Sequence, residues 1–374
     1  MKHRPGHPVG AILALLAVAV YSICCKPAWS PKGDQVAYIS VQDIEGAGRW
    51  AVAIYDLATK QSRVITETRA PDDSTLVPMA VFWPERGHKV AYVSAPRGEV
   101  EGSAVQVSRY NLRTGRVKSS KKVAVPEVSI ESAAGPVFLE GKRWLWLMGE
   151  SNAFRVDVTK GKAEPLQRAK VVTKSNGKVF YFGESAKEEI EFGRVKTFPS
   201  LKEQPLFTVT PENGKDLTPL TAMPSKCVRF SYVVKSDSSN TLLICDEKGQ
   251  RLKAILLPEQ TELGEPPNAE WTPDGTMLWL TVRGTDSGVE YTGIAEIRVA
   301  DGHVRIVRID TNKEHGGLEP LQLSLSPNGT CLAASTATDK TAGLCLVDLT
   351  GDARTVTFVP APATPGPAKT GAAE

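Results

Sequence analysis

Hydrophobic and polar residues alternate in short blocks along most of this chain: a β-rich apolar run, a turn of Pro, Gly, Asn or Asp, and a second apolar run. In AWSPKGDQVAYIS (28–40), Trp29 closes one run, Ser30-Pro31-Lys32-Gly33 makes the turn, and Gln35-Val36-Ala37-Tyr38-Ile39 begins the next. Pro31 presets φ near −65°, and Gly33 can take the positive φ required by a type I turn that ends in a left-handed residue. The block predicts a β-hairpin.

The block recurs. Trp83-Pro84-Glu85-Arg86-Gly87 precedes KVAYVS, Trp271-Thr272-Pro273-Asp274-Gly275 precedes TMLWLTV, and Ser326-Pro327-Asn328-Gly329 precedes the run that starts at Cys331. Weaker copies stand at Leu139-Glu140-Gly141, Ser175-Asn176-Gly177 and Met223-Pro224-Ser225-Lys226. The turns at 31, 84, 140, 176, 224, 273 and 327 are mostly about 50 residues apart. Between them falls a second phrase, as in YDLATKQSRVIT (55–66), YNLRTGRVK (110–118) and VDLTGDARTVTF (347–358), again strand, turn, strand. Two hairpins per repeat make a four-stranded antiparallel unit, and repeats of this length and content predict an all-β chain, a seven-bladed β-propeller, or six-bladed if one weak copy is not a blade. A β-sandwich followed by a second β domain is the alternative.

The Trp-Ser-Pro-x-Gly hairpin followed by a Tyr-Asp-Leu-x-Thr strand resembles the repeats of the Tol-Pal (TolB-like) translocation protein family and of the related prolyl-oligopeptidase-type propellers. The resemblance covers nearly the whole chain after its N-terminus. It implies the propeller, and it says little of activity, because propellers host many unrelated functions. The Tol-Pal protein carries an α/β domain before its propeller, whereas here the first hairpin follows the N-terminal apolar segment directly.

That segment has a basic start, MKHRPGHP, and an apolar run of 15 residues, VGAILALLAVAVYSI, with Ala17-Val18-Ala19 as a small-x-small cleavage pattern. It reads as a secretory signal peptide more than a membrane span, which needs about 20 apolar residues. Uncleaved anchoring, or lipidation at Cys24 or Cys25, stays open; Tyr21-Ser22-Ile23 before them lack the usual lipoprotein form. The expected organisation is a signal peptide or anchor over 1–25, a propeller over 26–359 and a Pro/Ala-rich disordered tail over 360–374. The expected location is periplasmic or extracellular.

Few residues separate a cleaved signal from Trp29, too few for an added outer strand, and Ala353–Val359 supplies the last repeat with its own fourth strand. Blades 1 and 7 are therefore each expected from contiguous sequence, with closure by face packing and no interlocking. In an exported chain six cysteines suggest disulfides. Register argues otherwise in the propeller: if 236–239 is a turn, Cys245 faces Phe230 and misses Cys227 by three residues. Cys331 and Cys345 miss by a similar offset, and an odd offset sends two thiols to opposite faces.

Catalytic motifs are sparse. There is no Gly-x-Ser-x-Gly elbow, no Cys-x-x-Cys, no Ca²⁺ loop and no phosphate-cradling Gly loop. His88, His303 and His315 fall on different turns and blades and cannot converge on a metal. No cofactor is expected. The net charge of +3 is too slight to indicate nucleic acid. The charges divide by face: the tight turns are rich in Lys and Arg, while the longer loops of the opposite face carry Asp43, Glu45, Asp72, Asp73, Glu99, Glu101, Asp286, Glu290, Glu314 and His315. Those loops are the candidate binding face. The reading is an envelope module that binds or scaffolds a protein or glycan, touching membrane only through its N-terminal segment. The rival is an exported hydrolase or lyase using carboxylates near the channel.

Overall fold

The structure is a computed structural model that describes residues 26–362, apart from 43–47, 85–87, 99–102, 127, 129–136, 150–151, 176, 185–188, 198–199, 212–215, 221–228, 237–238, 265–266, 310–318 and 338–340. The described residues form strands and no helix, and the strands group in chain order into seven antiparallel units. Blade 1 comprises Ala28–Trp29, Gln35–Gln42, Arg49–Asp56 and Gln61–Arg69. Blade 2 has Leu76–Phe82, Lys89–Pro96, Ala104–Asn111 and an outer edge split into Val117–Ser119 and Val123–Ala124. Blade 3 is Phe138–Glu140, Trp144–Met148, Ala153–Asp157 and Lys162–Pro165; blade 4 is Val171–Ser175, Lys178–Glu184, Ile190–Lys196 and Lys202–Val209. Blade 5 is Asp216–Pro219, Phe230–Lys235, Asn240–Cys245 and Arg251–Leu256. Blade 6 starts with Thr261–Leu263 and Ala269–Trp271, both paired to Met277–Asp286, and ends with Val289–Arg298 and His303–Arg308. Blade 7 is Glu319–Leu325, Cys331–Ala337, Thr341–Asp348 and Thr355–Val359.

The apolar clusters lie between blades. One joins blades 4 and 5 through Phe180, Phe192 and Phe230, and another joins 5 and 6 through Leu242, Trp271 and Leu280. Further clusters join 6 to 7 through Trp279, Leu332 and Cys345, and 7 to 1 through Tyr38, Tyr55 and Leu344. Each blade thus packs on the next, and the seventh packs on the first. This explains the sequence pattern in the second and third strands. Gln35–Gln42 is buried at six successive positions because a blade covers each face, whereas the outer strand Gln61–Arg69 is half-exposed throughout. Each large side chain buried in this way contributes on the order of 1.5–3 kcal/mol.

The turn chemistry holds. Gly33, Gly275 and Gly329 have φ of 72°, 71° and 70°. Their turns have an additional support in the residue at the head. Met277 N donates to Thr272 Oγ1 at 2.9 Å, Cys331 N to Ser326 Oγ at 3.0 Å, and Gln35 N to Ser30 Oγ at 3.2 Å. The hydroxyl closes the turn from inside, which is why Ser or Thr precedes the Pro. In the second phrase the acid does the same work. Asp56 Oδ1 accepts from Thr59 N at 2.9 Å, Asp157 Oδ1 from Lys160 N at 3.0 Å, and Asp348 Oδ1 from Thr350 N at 2.8 Å.

Blades 1 and 7 are each contiguous in sequence, but the seam is more than packing. Val41 and Gln42 pair antiparallel with Ala342 and Thr341, so the two blades form one eight-stranded sheet. The first strand of blade 1 is only two residues long and pairs at Val36 and Ala37. The far end of Gln35–Gln42 therefore keeps a bare inner edge. The last strand of blade 7 pairs from Leu344 onward and leaves Thr341 and Ala342 bare as well. The two edges satisfy each other, as unpaired backbone groups must. Trp29 Nε1 adds a bond to Ser324 O at 2.8 Å across the same seam.

Candidate functional site: the channel at the tight-turn end

The first strands surround a cavity of about 760 Å³. Its walls come from residues 26–29 of blade 1, 81–84 of blade 2, 137–139 and 141–142 of blade 3, 173–174 of blade 4, 268 and 270–271 of blade 6 and Gln322 of blade 7. Six of seven blades contribute, so the cavity is the central channel. Most of the lining residues sit at the C-terminal ends of first strands or in the turn that follows. The cavity belongs to the tight-turn end.

The two sides differ in character. Blades 2 and 3 present a half-buried apolar wall of Phe82, Trp83, Val137, Phe138 and Leu139. Phe138 is held by stacking on Trp146, with ring centroids 5.8 Å apart and planes inclined by 20°. Blades 6 and 7 present a polar wall whose groups are partly paired with one another. Asn268 Nδ2 donates to Gln322 Oε1 at 2.8 Å, and Asn268 Oδ1 accepts from Leu323 N at 2.9 Å. Glu270 takes the Lys26 ammonium at 2.8 Å. Lys142 and Lys174 stand exposed on the rim, and no described group pairs with either ammonium. The described lining thus holds three cations, Lys26, Lys142 and Lys174, against one carboxylate, Glu270.

Of the acidic loop residues expected to form a binding face, Asp43, Glu45, Glu99, Glu101, Glu314 and His315 lie outside the described residues. The other four are exposed, and three have local partners. Asp72 Oδ1 accepts from Ser74 Oγ at 2.7 Å and Thr75 Oγ1 at 3.0 Å, and these bonds hold its carboxyl below the usual range. Asp73 accepts from Arg97 at 2.9 and 2.7 Å. Asp286 is paired with Arg308, which keeps its carboxyl low as well. Glu290 lies on the strand Val289–Arg298. Among the four described residues, three are thus paired or used to shape loops, and the cavity opens at the other end of the blades.

His88 lies exposed beside Arg113, with Nε2 2.9 Å from a guanidinium nitrogen, and His303 begins the fourth strand of blade 6. Among the described residues no three of His, Cys, Asp and Glu are placed to hold a metal ion. Phe230 pairs with Cys245, and Cys331 with Asp348, as the turn positions predict. Cys245, Cys331 and Cys345 are free thiols. Cys331 packs toward blade 1 and Cys345 toward blade 6, on opposite faces of their blade. Burial pushes both thiols up to about 12, far from thiolate chemistry at neutral pH. Cys227 lies outside the described residues.

The channel lining escaped the sequence reading. Its signal was nonetheless present in the recurring position before each tight turn, where Trp29, Trp83, Leu139 and Trp271 stand. No family model matches the chain, and no curated protein matches it. Solved structures do. A protein of Bacteroides uniformis ATCC 8492 provisionally assigned as a 6-phosphogluconolactonase aligns over 87% of this chain and 97% of its own, with 14% identity and a TM-score of 0.52. The Dos1 propeller aligns over 89% and 94%, with 10% identity and a TM-score of 0.49. Dipeptidyl peptidase 4 of Porphyromonas gingivalis aligns over 83% of this chain and 50% of its own, with 12% identity and a TM-score of 0.44. At such identities the likeness concerns architecture alone, and the first of these, spanning nearly all of both chains, agrees with the strand pairing: the chain is a β-propeller.

Proposed function

We propose that this protein is an exported binding or scaffold module of the cell envelope, its propeller related to the Tol-Pal type, engaging a protein or glycan partner. The observation that carries this reading is the make-up of the channel. The rival, a hydrolase or lyase using a pair of carboxylates near the channel, needs two of them flanking the reacting bond. The described lining offers Glu270 alone, and Lys26 already occupies it. A broad channel with an aromatic wall and a few polar groups is the form of a recognition site. Export rests on the basic and apolar N-terminal segment, and a retained or lipidated form at Cys24 or Cys25 would keep the propeller at a membrane.

The test has two parts. Fractionation with N-terminal sequencing of the mature protein should find it outside the cytoplasm and cleaved before Lys26. Affinity capture from envelope extract should then recover a saturable partner that the isolated propeller binds in purified form. A full-length cytoplasmic protein, or turnover of an envelope substrate without stable capture, overturns the proposal.

A further inference from the structure

We infer that the channel mouth takes a ligand with one anionic group joined to an apolar, ring-like or chain-like body. This rests on the reading of the protein as a binding module and adds the chemistry of what it binds.

Three features of the cavity converge on that chemistry. The first is charge. The Lys26–Glu270 pair cancels itself, which leaves Lys142 and Lys174 as a net double positive charge on the described rim. Two like charges at the mouth of a low-dielectric cavity attract an anion and repel a cation. The second is the apolar wall, where Phe82, Trp83 and Phe138 offer ring faces and edges held in place by packing. Such a surface rewards burial of an aromatic or aliphatic body. The third is the use already made of the polar wall. The Asn268 amide is spent on Gln322 Oε1 and Leu323 N, while Gln322 Nε2, a donor, has no partner among the described residues. A neutral sugar would have to break the Asn268 bonds to use that amide, whereas an anion can take the Gln322 donor as it stands. A volume of about 760 Å³ suits a ligand of drug or tripeptide size.

The anionic head could belong to a free amphiphile or to the C-terminal carboxylate of a polypeptide, and one experiment separates them. The full chain is titrated, by calorimetry and by Trp fluorescence at low salt, with octanoate, octyltrimethylammonium and octanol. It is also titrated with the tripeptide Leu-Trp-Phe carrying a free or an amidated C-terminus. Octanoate should bind with 1:1 stoichiometry at least tenfold more tightly than the cation. Lys142→Ala and Lys174→Ala should each weaken it by about fivefold, the upper range for a solvent-accessible ion pair, and Lys→Arg should restore it. Both positions are exposed, so the melting temperature should not move. Preference for the free-acid tripeptide over octanoate assigns the head to a polypeptide terminus; the reverse assigns it to a free amphiphile. Equal binding of all three amphiphiles, or lysine variants that bind octanoate as wild type does, overturns the anionic preference and leaves the binding module standing. No binding by any probe, with partner capture undiminished in the double variant, removes the channel as the site altogether.

Discussion

The ion pair between Arg354 and Glu296 ties blade 7 to blade 6, and its removal should show how the ring divides its stability. Arg354 Nε lies 2.8 Å from Glu296 Oε2 and Nη2 lies 2.6 Å from Oε1, a fork-to-fork contact. The side chains are only 14% and 11% exposed, so the pair is largely desolvated. Arg354 Nη1 also donates to Leu349 O at 2.8 Å and to Gly351 O, pinning the turn that leads into Thr355–Val359. Arg354→Met would leave a nearly buried carboxylate without its partner and free two carbonyls. Breaking a buried pair from one side costs about 3–5 kcal/mol, and the residual exposure places this case near 3. Glu296→Gln keeps the shape and one acceptor, and should cost about 1–2 kcal/mol. The double variant Arg354→Met/Glu296→Gln removes both charges but still frees the two carbonyls, and should cost about 2 kcal/mol. The cycle therefore predicts a coupling of about 2–3 kcal/mol. Guanidinium chloride unfolding followed by Trp fluorescence measures it, with equal m-values as the check on a common unfolded state. Additive single effects, or an Arg354→Met variant no weaker than Glu296→Gln, would refute the account of the pair as a buried bridge.

Three further outcomes follow from local geometry. Gly275 sits at φ 71°, so Gly275→Val forces a β-branched residue into the left-handed region and should cost about 1–3 kcal/mol; a variant melting with wild type contradicts the turn assignment. Lys60 occupies the same region at φ 56°, in the turn where other blades place Gly; Lys60→Gly should raise stability by about 0.5–1 kcal/mol, and a loss on thermal unfolding would show that the lysine side chain contributes more than its strain. The carboxyls of Asp56, Glu67, Asp274 and Asp348 are held low by bonds from, respectively, Gln35, Arg49, Thr272 and the Thr350 amide. Asp157 behaves alike: burial opposes its charge, but Arg143 and Thr159 outweigh burial and hold it far down. Since these groups bind protons more weakly in the folded chain than in the unfolded one, their stabilisation is complete above the ordinary carboxylate pKa of about 4 and is lost as pH falls through the folded values. The melting temperature should stay level from pH 7 to about 5 and drop below about 4; a fall already between 7 and 5 would point to a different titrating group.

Local rules carried the sequence far wherever partners were near in the chain. The turn at 236–239 set the pairing of Phe230 with Cys245, and the turn after Ala337 set that of Ala334 with Cys345, each without knowledge of the rest of the ring. Pairing across hundreds of residues was invisible for the same reason. Val41 meets Ala342 only because two strands elsewhere stop short, and no motif encodes a bare edge. In the acidic loops the sequence could not show that Asp73 and Asp286 are paired with Arg97 and Arg308, residues some twenty positions away. Even the repeated acid of the second phrase serves its own turn. The channel wall fell between these cases. Trp83 and Leu139 recur at equivalent points of the repeat, yet which side faces the axis depends on ring closure and not on strand periodicity.

The chain enters the ring at its centre. Lys26 and Pro27 line the channel, and Lys26 is fastened to blade 6 before the first strand begins. The described chain therefore begins at the hub of the disc, on the tight-turn side, while the last strand, Thr355–Val359, ends out on the circumference. A leash at the front end would suspend the molecule like a parasol from its ferrule, mouth toward the anchorage and long loops facing away. A leash at the back end would hang it by the rim, edge-on. Which end carries the load thus decides which face a neighbour can reach, with no change in the fold itself.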